Sequence, residues 1–74
     1  MVGFRTKNST YWIDASNRLI WGGKLGNKPR RYAIGAQFML GERGVAYFVD
    51  EYDRQLYNGN KPCYIRTGVI QSYI

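Results

Sequence analysis

This sequence predicts an antiparallel all-β domain on three observations. Apolar residues recur with period two, and no helical period runs through the 74 residues. The alternating runs are cut at short intervals by glycine and asparagine turns. No segment leaves room for the crossover helix that a parallel sheet requires. At this length, five to seven short strands are most stably arranged as a strongly curved small barrel, because closure removes exposed edges. An SH3-like barrel spanning residues 1–74 as one domain is the expected form. An oligonucleotide-binding fold places a helix between its third and fourth strands, and residues 22–54 provide none.

The elements follow in order. Val2 to Lys7 is a short extended segment. In Ser9 to Ala15, Tyr11, Ile13 and Ala15 alternate with Thr10, Trp12 and Asp14, which reads as a strand. Asp14-Ala15-Ser16-Asn17 has tight-turn composition, since these side chains hydrogen-bond their own backbone, and Arg18 to Trp21 returns as the second arm of a hairpin. Residues 22–31, with three glycines, one proline and four basic residues, form the one long loop. Tyr32 to Leu40 is the clearest strand, with Tyr32, Ile34, Ala36, Phe38 and Leu40 expected to point into the core. Gly41-Glu42-Arg43-Gly44 is expected to turn into a strand from Val45 to Asp50, with positive φ at the glycines. Glu51 to Arg54 is a polar loop or a single helical turn. Gln55 to Tyr57 and Cys63 to Thr67 flank the hairpin signal Asn58-Gly59, read as a five-residue loop. Val69 to Ile74 is a last extended piece that closes against the first strand or, left unpaired, supports a homodimer by edge pairing.

Composition supplies a core: 45% of residues are hydrophobic and 12 are aromatic. A domain this small buries only about 60% of its unfolded surface, so bulky rings matter. Cys63 is the only cysteine, which rules out an internal disulfide and favours a reducing compartment. No apolar stretch has the length of a signal peptide or of a membrane span. The expectation is a soluble, cytoplasmic protein with no membrane partner.

Catalysis has little to work with. Histidine is absent, so the usual general base near neutral pH is missing, and one cysteine without histidine removes ordinary zinc sites. A non-enzymatic protein without cofactor or metal is expected. Cys63, following Pro62, reads as a small buried side chain. Asp50, Glu51 and Asp53 could in principle hold a hard cation, but read more simply as a solvated turn that pairs with Arg54 and Arg43. The stretch from Gly22 to Lys28 looks superficially like a phosphate-binding P-loop. That motif would need glycine at Asn27, and serine or threonine where Pro29 follows Lys28. The strand Arg43 to Asp50 approaches the RNP1 signature of RNA-recognition motifs, keeping the basic residue, the glycine and the aromatic Tyr47. It has Val45 and Asp50 where further rings belong.

Charge is the strongest functional signal. The net charge of +6 resides in residues 1–31, where Arg5, Lys7, Arg18, Lys24, Lys28, Arg30 and Arg31 face Asp14 alone; residues 32–74 are balanced. Lys24, Lys28, Arg30 and Arg31, spread along a glycine-rich loop, can span several phosphates, with Arg18 and Lys7 extending the track. Trp12 and Trp21 lie on the two arms of the first hairpin. One is expected to be buried, and parity with Thr10 and Asp14 makes Trp12 the exposed one, able with Tyr32 to stack on bases.

Ser9-Thr10-Tyr11-Trp12-Ile13-Asp14, followed by Arg18-Leu19-Ile20-Trp21 and by Arg66-Thr67-Gly68-Val69-Ile70 near the end, resembles small uncharacterised proteins of phages that infect actinobacteria. The likeness covers about a third of the chain and assigns no site residues. Those proteins are often neutral or acidic, so the basic loop departs from their pattern. The resemblance implies a non-enzymatic phage accessory protein acting inside a bacterium. Two functions follow as expectations: weakly specific binding of a DNA or RNA backbone or, alternatively, an interaction module docking on an acidic host protein. Exposed aromatics and arginines would anchor the second.

Overall fold

The computed structural model describes residues 2–74. Among them β-strands dominate, all paired antiparallel, and the one helical feature is a 3₁₀ turn at Gly23–Leu25. The strands are β1 (Val2–Arg5), β2 (Thr10–Asp14), β3 (Leu19–Gly22), β4 (Arg30–Arg31), β5 (Arg43–Tyr47), β6 (Tyr57–Asn58), β7 (Lys61–Pro62), β8 (Tyr64–Val69) and β9 (Ser72–Tyr73). These exceed the five to seven expected because β4, β6, β7 and β9 are two-residue pieces.

A five-stranded sheet has the order β4-β3-β2-β1-β9; β5 pairs with β8 and β6 with β7. The two larger sheets are stitched together where β4 runs out. Ala33 N–H donates to the Tyr47 carbonyl (2.8 Å), Val49 N–H donates to that of Arg31 (3.1 Å), and Tyr32 bridges Phe48. These are isolated links, and the ladder does not close into a continuous barrel.

Alternation explains the core. On β2, Tyr11 and Ile13 are buried; on β8, Ile65 and Thr67 are, while Tyr64 and Arg66 face water. Phe4 stacks on Tyr11 (5.3 Å between centroids) and Phe38 (5.6 Å), and Ile20, Tyr32, Ala46, Phe48 and Ile70 complete the cluster. Truncating a ring such as Phe4 to alanine costs about 3–5 kcal/mol. Thr67, fully buried, is satisfied by its own sheet: its hydroxyl accepts from Gly44 N–H (2.9 Å) and donates to the Gly68 carbonyl (2.7 Å). The β5–β8 register slips between Arg43 and Val45. Such a bulge bends a strand, and by Ser72 the chain has left β5 and joined β1 as β9. The expected closure of the last segment on the first strand is therefore present, with β9 at the sheet edge.

Several expectations need correction. Residues 32–40 are not a strand. The chain turns at Ile34–Gly35, where Gly35 has φ 96°, leaving Ile34 80% exposed and Leu40 outside the core. Period two alone cannot distinguish a ladder from an irregular segment touching one at isolated bridges, here Tyr32–Phe48 and Gln37–Val45. At the next turn Gly41 has the anticipated positive φ, but Gly44 lies inside β5. Arg30 and Arg31 leave the long loop to form β4. The Asn58 hairpin is tighter than read: Asn58 pairs with Lys61 around Gly59-Asn60, and positive φ at Gly59 (64°) is what a two-residue loop of this kind demands. Both tryptophans are half-buried, because Trp12 and Trp21 are register partners on the outer face of the five-stranded sheet. Trp12 lies over Gly3, where a Cβ would fall 2.6 Å from the indole ring.

Candidate functional site

Five of the cations gather in two groups, one beyond each end of β2. Beyond its C-terminal end, Arg18 donates to the Asp53 carboxylate (2.6 Å) and to the Tyr32 carbonyl (3.1 Å), and Arg31 reaches the same Asp53 oxygen (3.3 Å). Arg18 and Asp53 both have left-handed backbone (φ 53° and 62°), each at the end of a tight turn. The Arg18 side chain is only 19% exposed. Asp53 is held below the usual carboxylate range, chiefly by the Arg18 hydrogen bond, with further help from both guanidinium charges and partial desolvation opposing. Asp50 accepts from the backbone N–H groups of Arg54 and Tyr52 and pairs with Arg54 (3.0 Å). The acidic cluster thus does pair with arginines. For Asp53 the partners are Arg18 and Arg31, 35 and 22 residues away in sequence, and not Arg43.

Beyond the N-terminal end of β2 the arrangement differs. The turn between β1 and β2 is pinned by Thr6 N–H donating to the Ser9 carbonyl (2.9 Å). This turn, the 3₁₀ turn and the start of β5 enclose a cleft of about 160 Å³ lined by Thr6, Lys7, Asn8, Ser9, Tyr11, Lys24, Arg43 and Gly68. Three cations line it and no carboxylate does. Lys24 is oriented by its own N–H on the buried Tyr11 hydroxyl (3.5 Å) and by its Nζ on the Arg66 carbonyl (3.4 Å); Arg43 reaches the Thr67 carbonyl (3.4 Å). Hydroxyls, an amide and three cations around a small concavity suit a phosphate-sized anion.

Of the residues singled out from sequence, Lys7 and Lys24 meet in this cleft. Arg18 and Arg31 meet at Asp53. Arg30 lies over the Phe48 ring (5.3 Å). Lys28 is exposed in the loop and makes no ion pair among the described residues. Trp12 pairs with Trp21 on the sheet. Tyr32 is in the core, 6% exposed, edge-on to Phe38, and burial pushes its phenol pKa up, so it offers no stacking face. Sequence reasoning missed Arg43, Asn8 and Ser9. Arg43 was visible as the basic residue of the RNP1-like strand and as an expected partner of the acidic cluster, neither of which places it in this cleft.

A second concavity of about 340 Å³ adjoins the first through Arg43, lined by residues 33–37, Val45 and Tyr47. Cys63 is half-buried against the core. Among the described residues, no group of His, Cys, Asp and Glu could hold a metal ion, and no helix is long and apolar enough to cross a membrane. No family model, no curated protein and no solved structure matches the chain.

Proposed function

We propose that this protein is a non-catalytic nucleic-acid-binding domain that grips the phosphate backbone. The observation that carries this reading is the Lys7–Lys24–Arg43 cleft, where three cations converge with no acid to neutralise them. Lys28, exposed in the loop, and Arg30, over the Phe48 ring, carry further charge with no acid paired to them among the described residues. Arg18 and Arg31 contribute less, because Asp53 already holds them. With no α-helix among the described residues to enter a major groove, sequence specificity is weak. An SH3-like small barrel is the architecture this reading favours: β4 leads toward β5, and β8 runs into β9, so each large sheet meets the other at its edges. A phage accessory role inside a bacterial cytoplasm fits the same picture. The test is affinity for a mixed oligonucleotide across a salt series. Micromolar binding that weakens steeply with salt supports the proposal, and no binding at 50 mM salt ends it.

One observation favours a second reading, an interaction module for an acidic host protein or a second copy of this chain. Trp12 and Trp21 are register partners on an outer sheet face, and Trp12 lies over Gly3 of β1, the strand that pairs with the edge strand β9. A protein partner retained after nuclease treatment, and lost when both tryptophans become alanine, supports it.

A further inference from the structure

The sheet formed by β5 and β8 has an outer face that is exposed among the described residues. Tyr47 and Tyr64 are register partners there, their rings 5.4 Å apart, and they remain 45% and 52% exposed. Neither ring is needed to fill the core, which β5 and β8 supply with Ala46, Ile65 and Thr67 instead. Two residues along the strands, Val45 faces Arg66; beyond the bulge, Arg43 faces Val69. Each two-residue step is roughly 7 Å of strand. Arg43 lines both concavities, while Tyr47 lines the larger and Lys24 the cationic one. Lys24 also reaches the Arg66 carbonyl, bringing its ammonium to β8. One surface therefore runs from an aromatic pair, past Arg66 and Arg43, into a cleft with Lys7 and Lys24. Glu42 is the one carboxylate next in sequence to these cations, and it makes no ion pair among the described residues.

Paired phenol rings beside spaced cations match a polymer with flat apolar faces and a regular negative backbone. Duplex DNA hides its base faces in the stack. An unpaired strand offers them, and aromatic stacking on such bases is worth enough to decide strandedness. We infer that the partner is single-stranded nucleic acid, with bases stacked on Tyr64 and Tyr47 and the backbone led past Arg66 and Arg43 into the Lys7–Lys24 cleft. This rests on the nucleic-acid reading and deepens it by naming the strandedness and the stacking residues. Such stacking is tolerant of base identity, so the preference is for unpaired strands as such.

The experiment compares three fluorescent probes at 100 mM salt: a 20-nucleotide oligothymidine, a 20-base-pair duplex of mixed sequence, and a poly-glutamate of matched charge. Wild-type protein is expected to bind the oligothymidine at least about tenfold more tightly than the duplex. Tyr64→Ala is expected to lose about tenfold on the single strand and little on the duplex, with Tyr64→Phe, which keeps the ring, restoring most of the loss. Thermal melts of both variants identify any loss that comes from unfolding; Tyr47→Leu then removes the partner ring with an apolar replacement and is expected to weaken the same probe. Equal binding of duplex and single strand, insensitive to Tyr64→Ala, overturns the stacking inference and leaves the phosphate-binding reading standing. Poly-glutamate bound as tightly as the oligothymidine overturns it in favour of a protein ligand. No binding of either nucleic acid overturns both.

Discussion

The two ends of β2 hold basic residues in opposite circumstances. At Asp53, Arg18 and Arg31 are drawn into one carboxylate and serve to fasten the β2–β3 turn to the turn at 50–54. At the β1–β2 turn, Lys7 and Lys24 meet Arg43 with no acid among the cleft residues. In the sequence these side chains look alike, and all but Arg43 belong to the same positively charged segment, residues 1–31. The fold separates those that hold the protein together from those left to hold something else. A cation counts toward recognition only where folding does not supply its counterion.

The contrast is open to direct attack, and the largest effect should come from the cleft. Replacing Lys7, Lys24 and Arg43 together by alanine should lower oligonucleotide affinity about a hundredfold at 0.1 M salt and flatten the salt slope by about 2. The matching double change at Arg18 and Arg31 should alter affinity by no more than about twofold; equal losses would erase the distinction. Next in size, Asp53→Asn should lower Tm by several degrees while raising affinity a few-fold, because it releases two arginines; calorimetry and anisotropy on one preparation read both.

Acid should act at the Asp53 end first. Asp53 is depressed chiefly by the Arg18 hydrogen bond, Asp50 by the Arg54 backbone N–H, and Asp14 by the Asn17 side chain. A carboxyl whose folded pKa lies below its unfolded one stabilises the fold above the unfolded value. That contribution is lost as pH falls through the folded value. With no histidine in the chain, Tm should stay level from about pH 8 to 5 and drop below about pH 4, less steeply in Asp53→Asn. The smallest effect belongs to Arg54→Ala. It removes an exposed pair with Asp50 and should move Tm by no more than about 2 °C and leave binding unchanged.

Much of this organisation was legible in the residues. Tyr11 and Ile13 alternating with Trp12 and Asp14 announced β2, and the Asp14–Asn17 turn announced its hairpin, because both are decided within a few residues. The segment from Tyr32 to Leu40 misled for the converse reason. Its alternation is genuine, but whether it enters a ladder depends on partners distant in sequence, and Gly35 turns the chain before one forms. The site was half legible. Composition located the lysines but could not reveal that Asp53, lying 35 residues beyond Arg18, would claim that arginine, or that Arg43 would return to join Lys7 and Lys24. Trp12 and Trp21 drew attention as rings in a charged stretch. The more exposed pair, Tyr47 and Tyr64, lies in electrically neutral sequence and becomes a pair only through the β5–β8 register.

The indoles and the paired phenols lie on separate sheets. Trp12 against Trp21 forms a two-chromophore unit whose mutual orientation depends on the five-stranded sheet being intact, so near-ultraviolet dichroism above 290 nm reports folding. Tyr47 and Tyr64 are two of seven tyrosines, so their share of the ultraviolet signal is the part that a variant lacking both rings loses. A dye-free sample thus carries its own fold reporter: an unaltered tryptophan band during a titration means the five-stranded sheet has survived, and its loss means the polypeptide has melted.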